Sequence, residues 1–221
     1  ASMGYRAYAL DLWGFGDTAK RPQMYRLTEQ VALLDSFMEA LGIGRIALVG
    51  HGLGALVALN YATQHGNIVD RVMLTGLPIG VGSVSQRLRT AAPAELADWL
   101  LGRQPAMEAA RAEAPKADQA ALLTSIDNLQ MMNILEICQK LPTASLLVHG
   151  QSDPAVQFPP PDILNTLPEQ THYIVFEQSG HFPMLDEPSK FNRLLGDFLA
   201  LASGESPRQL QLKEEWKRRV R

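Results

Sequence analysis

Apolar residues in this chain fall into two patterns: short unbroken runs, and longer stretches where they recur every three or four positions. The runs are residues 5–10, 45–49, 70–75, 145–149 and 172–176. Each is short and closes on a glycine or a polar residue, so each predicts a buried strand. Residues 28–41 carry Val31, Leu34, Phe37, Met38 and Leu41 at helical spacing, with Thr28 as a candidate N-cap and Gly42 as a stop. Residues 55–62 and 189–202 predict two further helices.

Strands that alternate with helices, each strand apolar on both faces, imply an α/β fold with a mostly parallel sheet covered on both sides. Residues 79–142 interrupt this rhythm. They are rich in Ala, Leu, Gln and Met, read as helical and contain no convincing strand. The expected organisation is a first part of the sheet over 1–78, a helical insertion over 79–142, a second part of the sheet over 143–202 and a charged tail over 203–221. Leu212, Trp216 and Val220 share a helical stripe in that tail, which ends Lys217-Arg218-Arg219-Val220-Arg221. A docked tail and a solvated terminus are both compatible with this pattern.

The 221 residues suffice for one sizeable core, and 46% hydrophobic with 19% charged residues is an ordinary globular balance. A net charge of −3 gives no reason to expect nucleic acid or an anionic membrane as partner. Cys138 is the only cysteine, which excludes an internal disulfide and a cysteine-rich zinc site. No apolar run approaches the roughly 20 residues needed to span a bilayer. Nothing in the opening Ala1-Ser2-Met3 reads as a signal peptide. The expectation is a cytoplasmic protein with a small-molecule substrate or ligand, no metal and no cofactor.

The chemistry concentrates where the strand at 45–49 meets the helix at 55–62, through Gly50-His51-Gly52-Leu53-Gly54. A Gly-x-nucleophile-x-Gly turn lifts its central residue above the sheet, and the helix N-terminus behind it favours developing negative charge. The flanking glycines are expected because strand and helix backbones pass close. A phosphate loop is the competing reading. It fails because Ala55-Leu56 stand where Lys-Ser or Lys-Thr would be needed, and no Gly-x-Gly-x-x-Gly spacing supports a dinucleotide.

Several segments in order resemble the α/β-hydrolase superfamily: Leu10-Asp11-Leu12-Trp13-Gly14-Phe15-Gly16-Asp17-Thr18, the elbow at 50–54, 147–154 (Leu-Val-His-Gly-Gln-Ser-Asp-Pro) and Ser179-Gly180-His181-Phe182-Pro183-Met184. The resemblance covers about residues 5–202 and is greatest to the cap-bearing branch of esterases, epoxide hydrolases, dehalogenases and carbon–carbon hydrolases. It implies that Asp153 is the triad acid, His181 the base, the Leu53 amide an oxyanion donor and the helical insertion a cap. It also implies a pocket above Gly52 between the strand ends and the insertion, with His51, Trp13, Phe182 and Met184 as expected substrate contacts. Packing of the loops alone is an equally open role for Trp13, Phe182 and Met184. His149 is expected to end a strand, and Asp186-Glu187-Pro188 to start the last helix.

Two departures stand out. Gly52 occupies the nucleophile position and has no hydroxyl, thiol or carboxylate, so no covalent intermediate can form there. Thr75, Ser83 and Cys138 are poor substitutes by position. An engineered knockout and a natural pseudoenzyme both give this residue. The second departure is that strands which precede residues 5–10 in the family have no counterpart here. One of them would lie inside the sheet, so an N-terminal segment or chain is expected to complete it. The functional expectation is a hydrolase lineage without its nucleophile. Its alternatives are a ligand-binding or sensing protein and general-base chemistry by His181 and Asp153 alone.

Overall fold

A computed structural model describes residues 4–102 and 104–212. Its helix α1 (Leu27–Leu41) leads to strand β1 (Ile46–His51), helix α2 (Leu53–Gln64) and strand β2 (Val69–Thr75). A helical stretch follows, with α3 (Arg87–Thr90), α4 (Pro93–Leu101), α5 (Glu108–Glu113), α6 (Gln119–Gln130) and α7 (Ile134–Lys140). The chain then returns to the sheet through β3 (Ala144–Gly150), α8 (Pro161–Leu164), β4 (Thr171–Phe176), α9 (Pro183–Asp186) and α10 (Pro188–Ala200).

Among the described residues the strands lie in the order β1-β2-β3-β4, every pair parallel. Alternation along each strand divides the apolar side chains between two cores. Val72, Leu74 and Leu147 face one cluster with α1, α2 and α7, whereas Met73, Leu146, Val148, Ile174 and Phe176 face another. Helix α10 covers the second cluster with Phe191, Leu194 and Phe198, a spacing that puts all three on one helical face. Its last carbonyls are held by the buried Arg71, which donates to Phe198 O at 2.5 Å and Leu201 O at 3.0 Å. The α/β architecture with helices on both faces is the one expected.

Two local expectations are corrected, and of the two readings left open for the tail the docked one holds for its first residues. Residues 5–10 form no strand and are largely exposed. No neighbouring strand among the described residues offers a ladder, so the segment is held by side chains instead: Tyr8 meets Phe37 edge-on at 6.0 Å, and the Tyr5 hydroxyl donates to Leu199 O at 3.1 Å. Thr28 is not the N-cap of α1, because the Arg26 carbonyl already accepts from Glu29 N and Gln30 N. Residues 204–212 are not wholly solvated. Pro207 and Leu210 are buried, His172 donates to Leu210 O at 3.1 Å, and Leu212 packs on the second core. Trp216, Val220 and the basic end of the tail lie outside the described residues.

The helical stretch between β2 and β3 is tied to the glycine-rich turn before α1. Asp118, at the start of α6, donates its amide to Gly14 O at 2.7 Å and accepts from the Tyr25 hydroxyl at 2.6 Å. Gly14 has φ 87°, and a Cβ there would overlap the Ala121 side chain. Burial followed by the Asp118 hydrogen bond pushes the Tyr25 phenol up to about 12, so it remains a donor at all moderate pH.

Candidate active site

The turn from β1 into α2 is a single residue, Gly52, with φ 54° and ψ −115°. The positive φ is one that glycine adopts without a Cβ penalty. Gly52 N donates to Thr75 O at 3.0 Å, and Gly52 O accepts from Ala55 N at 3.1 Å, which fixes both sides of the peptide. A Cβ on Gly52 would meet no atom within 4 Å. The Leu53 and Gly54 amides at the start of α2 donate to no group among the described residues. The two flanking glycines differ. A Cβ on Gly50 would overlap the Gly54 carbonyl, so that position needs glycine; a Cβ on Gly54 meets nothing within 4 Å, contrary to the expectation of close approach there.

Asp153 sits on the loop after β3 and His181 on the loop after β4. His181 Nδ1–H donates to Asp153 Oδ2 at 2.9 Å. The second carboxylate oxygen accepts from the amides of Ala155 at 2.8 Å and Val156 at 3.1 Å. Burial works to raise the Asp153 pKa, but the His181 hydrogen bond and charge, with the two amides, outweigh it and hold the group below the usual carboxylate range. With Nδ1 committed to the carboxylate, the other ring nitrogen of His181 has no hydrogen-bond partner among the described residues. The two loops are in near contact, since a Cβ on Gly150 would overlap the Gly180 carbonyl.

His51 lies against this pair. Its ring stacks on Phe182 at 4.8 Å and meets His181 edge-on at 4.5 Å, and its Nε2–H donates to His181 O at 2.9 Å. Burial and then the nearby His181 push its pKa down to about 3, so the ring is neutral. Beneath the two rings lies Gly76, with φ 61°, where a Cβ would sit 3.5 Å from both His181 Cε1 and His51 Nε2. His149 ends within β3 as expected, buried, donating Nε2–H to Leu77 O at 3.1 Å while stacked on Tyr173 at 5.5 Å.

The remaining expected contacts are distributed unevenly. Phe182 joins the cluster. Met184, in α9, packs against the second core. Trp13 makes no ring contact with His51, Phe182 or His181 among the described residues, and its peptide is clamped by Gln30: N–H to Oε1 at 2.8 Å, and Nε2 to the carbonyl at 2.9 Å. Gln30 is wholly buried and was missed from sequence, although a glutamine beside Leu27 and Val31 on an apolar helical face is the available signal. Of the substitute nucleophiles, the Thr75 side chain is fully buried, Ser83 donates to Gly80 O at 2.7 Å, and burial pushes the Cys138 thiol up to about 12. Asp186 closes α9 and accepts from Gly180 N, and Glu187 precedes α10.

A cleft of about 600 Å³ opens at the opposite end of the strands, lined by Arg45, Asp70, Arg71, Thr143 and Glu169, and touches none of the site residues. No group of three His, Cys, Asp or Glu among the described residues could hold a metal. No helix among them is long and apolar enough to cross a membrane.

Residues 1–194 match the profile described as the Alpha/beta hydrolase family. The chain is 24% identical over 221 residues to 2-hydroxy-6-oxo-6-(2'-aminophenyl)hexa-2,4-dienoic acid hydrolase of Metapseudomonas resinovorans, covering 89% of this chain and 74% of that protein. Its structure is similar to the esterase EaEST of Exiguobacterium antarcticum, with a TM-score of 0.73 at 19% identity over 86% of this chain and 80% of that one. It is also similar to a serine-to-glycine mutant of the N-acyl homoserine lactonase AidH complexed with N-hexanoyl homoserine lactone, with a TM-score of 0.70 at 19% identity over 86% of this chain and 77% of that one.

Proposed function

Because the chain belongs to the alpha/beta hydrolase family, we propose that its site is that of a small-ester or related hydrolase in which Gly52 has removed the nucleophile, so that the pocket binds ligand without covalent turnover. The observation that carries this reading is the state of the elbow. The Gly52 backbone has a positive φ, the Leu53 amide is uncommitted, and the His181–Asp153 bond is formed at 2.9 Å, but no nucleophilic atom stands at position 52. A solved neighbour with glycine in place of serine holds an acyl lactone, and that kind of complex is expected here. The test compares Gly52→Ser with the unmodified chain on short aryl esters, with circular dichroism as the folding check. Turnover by the serine variant alone is the expected result; equal turnover by both, or none by a well-folded serine variant, overturns the reading.

A second reading rests on the free ring nitrogen of His181. A base held by Asp153 can activate water or abstract a substrate proton without a protein nucleophile, an effect of roughly 10²–10⁴-fold. Turnover by the unmodified chain that is lost in His181→Ala would select this reading.

The proposed site also includes a further strand along β1. Val49 is 51% exposed, and β1 pairs only with β2 among the described residues, so one row of its backbone donors and acceptors is open. A segment or chain that pairs there would also bring the second oxyanion donor. Sedimentation as a stable, soluble, monodisperse 221-residue monomer counts against such a partner.

A further inference from the structure

The loop that carries His181 is anchored unevenly. Upstream, Ser152 N donates to Ser179 O at 3.0 Å, the Ser179 hydroxyl to Glu187 at 2.7 Å, and Gly180 N to Asp186 at 2.8 Å. Downstream, the Phe182 carbonyl accepts from Leu185 N and Asp186 N. Between these anchors, the one hydrogen bond to the His181 carbonyl among the described residues comes from the side chain of His51.

We propose that His51 is a positioning residue for the His181–Asp153 pair: its Nε2–H fixes the His181 peptide, and its ring, stacked on Phe182, forms the wall against which the His181 imidazole stands. A carbonyl can only accept, so Nε2 of His51 carries the proton and the ring is in a single tautomer. The donor lies on the residue immediately before Gly52, at the end of β1, where His51 is in register with Thr75 of β2. It therefore refers the His181 loop to the elbow. Asp153 constrains the imidazole from the β3 side, and His51 constrains its backbone from the β1 side. Without the second constraint the loop can pivot about the Asp153 bond, and both ring nitrogens lose their fixed aim. Gly76 completes the arrangement. A Cβ there would lie in ordinary contact with both rings, 3.5 Å from each, and the positive φ of 61° is what favours glycine at this position. This assigns to His51 a role other than ligand contact and depends on no substrate, so it stands or falls separately from the proposed function.

The readout is the His181 Nδ1–H proton in the unmodified, ¹⁵N-histidine-labelled chain, assigned by its loss in His181→Gln. His51→Phe keeps a ring for the stack and removes the donor; His51→Gln returns an amide donor near the position of Nε2. The expected result is a signal whose solvent exchange is about tenfold faster, or which is broadened away, in the phenylalanine variant and returns to the parent rate in the glutamine variant. A parent-like rate in His51→Phe overturns the proposal. Equal loss in both variants also overturns it, since a restored donor would then fail to restore the signal. If His51→Phe does not fold by circular dichroism, His51→Met against His51→Gln carries the same contrast: loss in the methionine variant alone supports the proposal, and any other pattern overturns it.

Discussion

His181 Nδ1 and Asp153 Oδ2 are joined at 2.9 Å in a setting where the two side chains are 10% and 2% exposed. The carboxylate is held from three directions, by the imidazole and by the amides of Ala155 and Val156. It is thus oriented before any ligand arrives, and the imidazole inherits that orientation. Preorganisation of this kind fixes which nitrogen of His181 is protonated, and hence which nitrogen is left to act.

Asp153→Asn is therefore expected to do more than remove a charge. One amide oxygen can still accept from Ala155 and Val156, but the side-chain NH₂ then faces Nδ1 and selects the opposite tautomer. In the Gly52→Ser background, ester hydrolysis should fall by roughly 10³–10⁴-fold with the fold retained. Weakening of the charge-assisted bond should cost about 1–3 kcal/mol in urea denaturation. Steady-state kinetics beside denaturation curves separates the two effects.

Much of this was legible in the sequence because the features that carry it are local. Strands β1 to β4 and the helices α1, α2 and α10 follow from runs and periodicities a few residues long, and Asp153 and His181 lie just past strand ends in recognisable contexts. What was not legible depends on contacts between distant segments. Residues 5–10 have the composition of a strand, but a strand exists only where a neighbour supplies its ladder. The His51 bond to His181 spans 130 positions, and Gln30 reaches Trp13 only after α1 has packed. Gly54 looks like Gly50 in the motif, and only the paths of the two backbones distinguish them.

Gly52→Ser should trade stability for activity. A side chain at φ 54° has room but not a relaxed backbone, a strain of about 1–3 kcal/mol. For a chain of this size each kcal/mol lowers the melting temperature by roughly 2–4 °C. Differential scanning calorimetry should show that decrease in the variant that gains esterase activity. A melting temperature at or above the parent's would mean that the elbow is not strained at this position.

Stability should fall with pH below neutrality, before the carboxylates titrate. Burial holds the folded-state pKa of His149 down to about 4 and that of His51 to about 3, both below the ordinary histidine value of 6.5. Between 6.5 and those depressed values the unfolded chain binds more protons than the folded one. The stabilisation is therefore complete above about pH 6.5 and is lost as pH falls towards 4 and 3, at up to about 1.4 kcal/mol per pH unit for each histidine. Asp153, also depressed, loses its contribution in the same direction once pH falls through the ordinary carboxylate range. Urea denaturation between about pH 7 and 5 should show the slope, and His149→Gln should reduce it, leaving the share of His51 and of His172, which burial also depresses. An unchanged slope in that variant would assign the effect to other groups.

Gly50 and Gly54 offer the sharpest test of the elbow's packing, because the motif treats them alike and the structure does not. A methyl on Gly50 would overlap the carbonyl of Gly54 and lie against the Ala55 amide, both backbone atoms of α2 that no rotamer change can move. The helix would have to shift away from the strand, and α2 carries Leu56, Leu59 and Tyr61 into the first core. Gly50→Ala should therefore cost about 1–3 kcal/mol or more, the range for forced overpacking, and reduce soluble yield. Gly54, inside the first turn of α2, has no positive φ, and a methyl added there would have no atom within 4 Å. Alanine there restricts the unfolded chain and suits a helix, so Gly54→Ala should stabilise by roughly 0.5–1 kcal/mol. Opposite signs in calorimetry would show that strand–helix approach, and not glycine as such, is what the elbow requires. A loss at Gly54 as large as that at Gly50 would mean that glycine as such, and not the approach of strand to helix, is what the elbow requires.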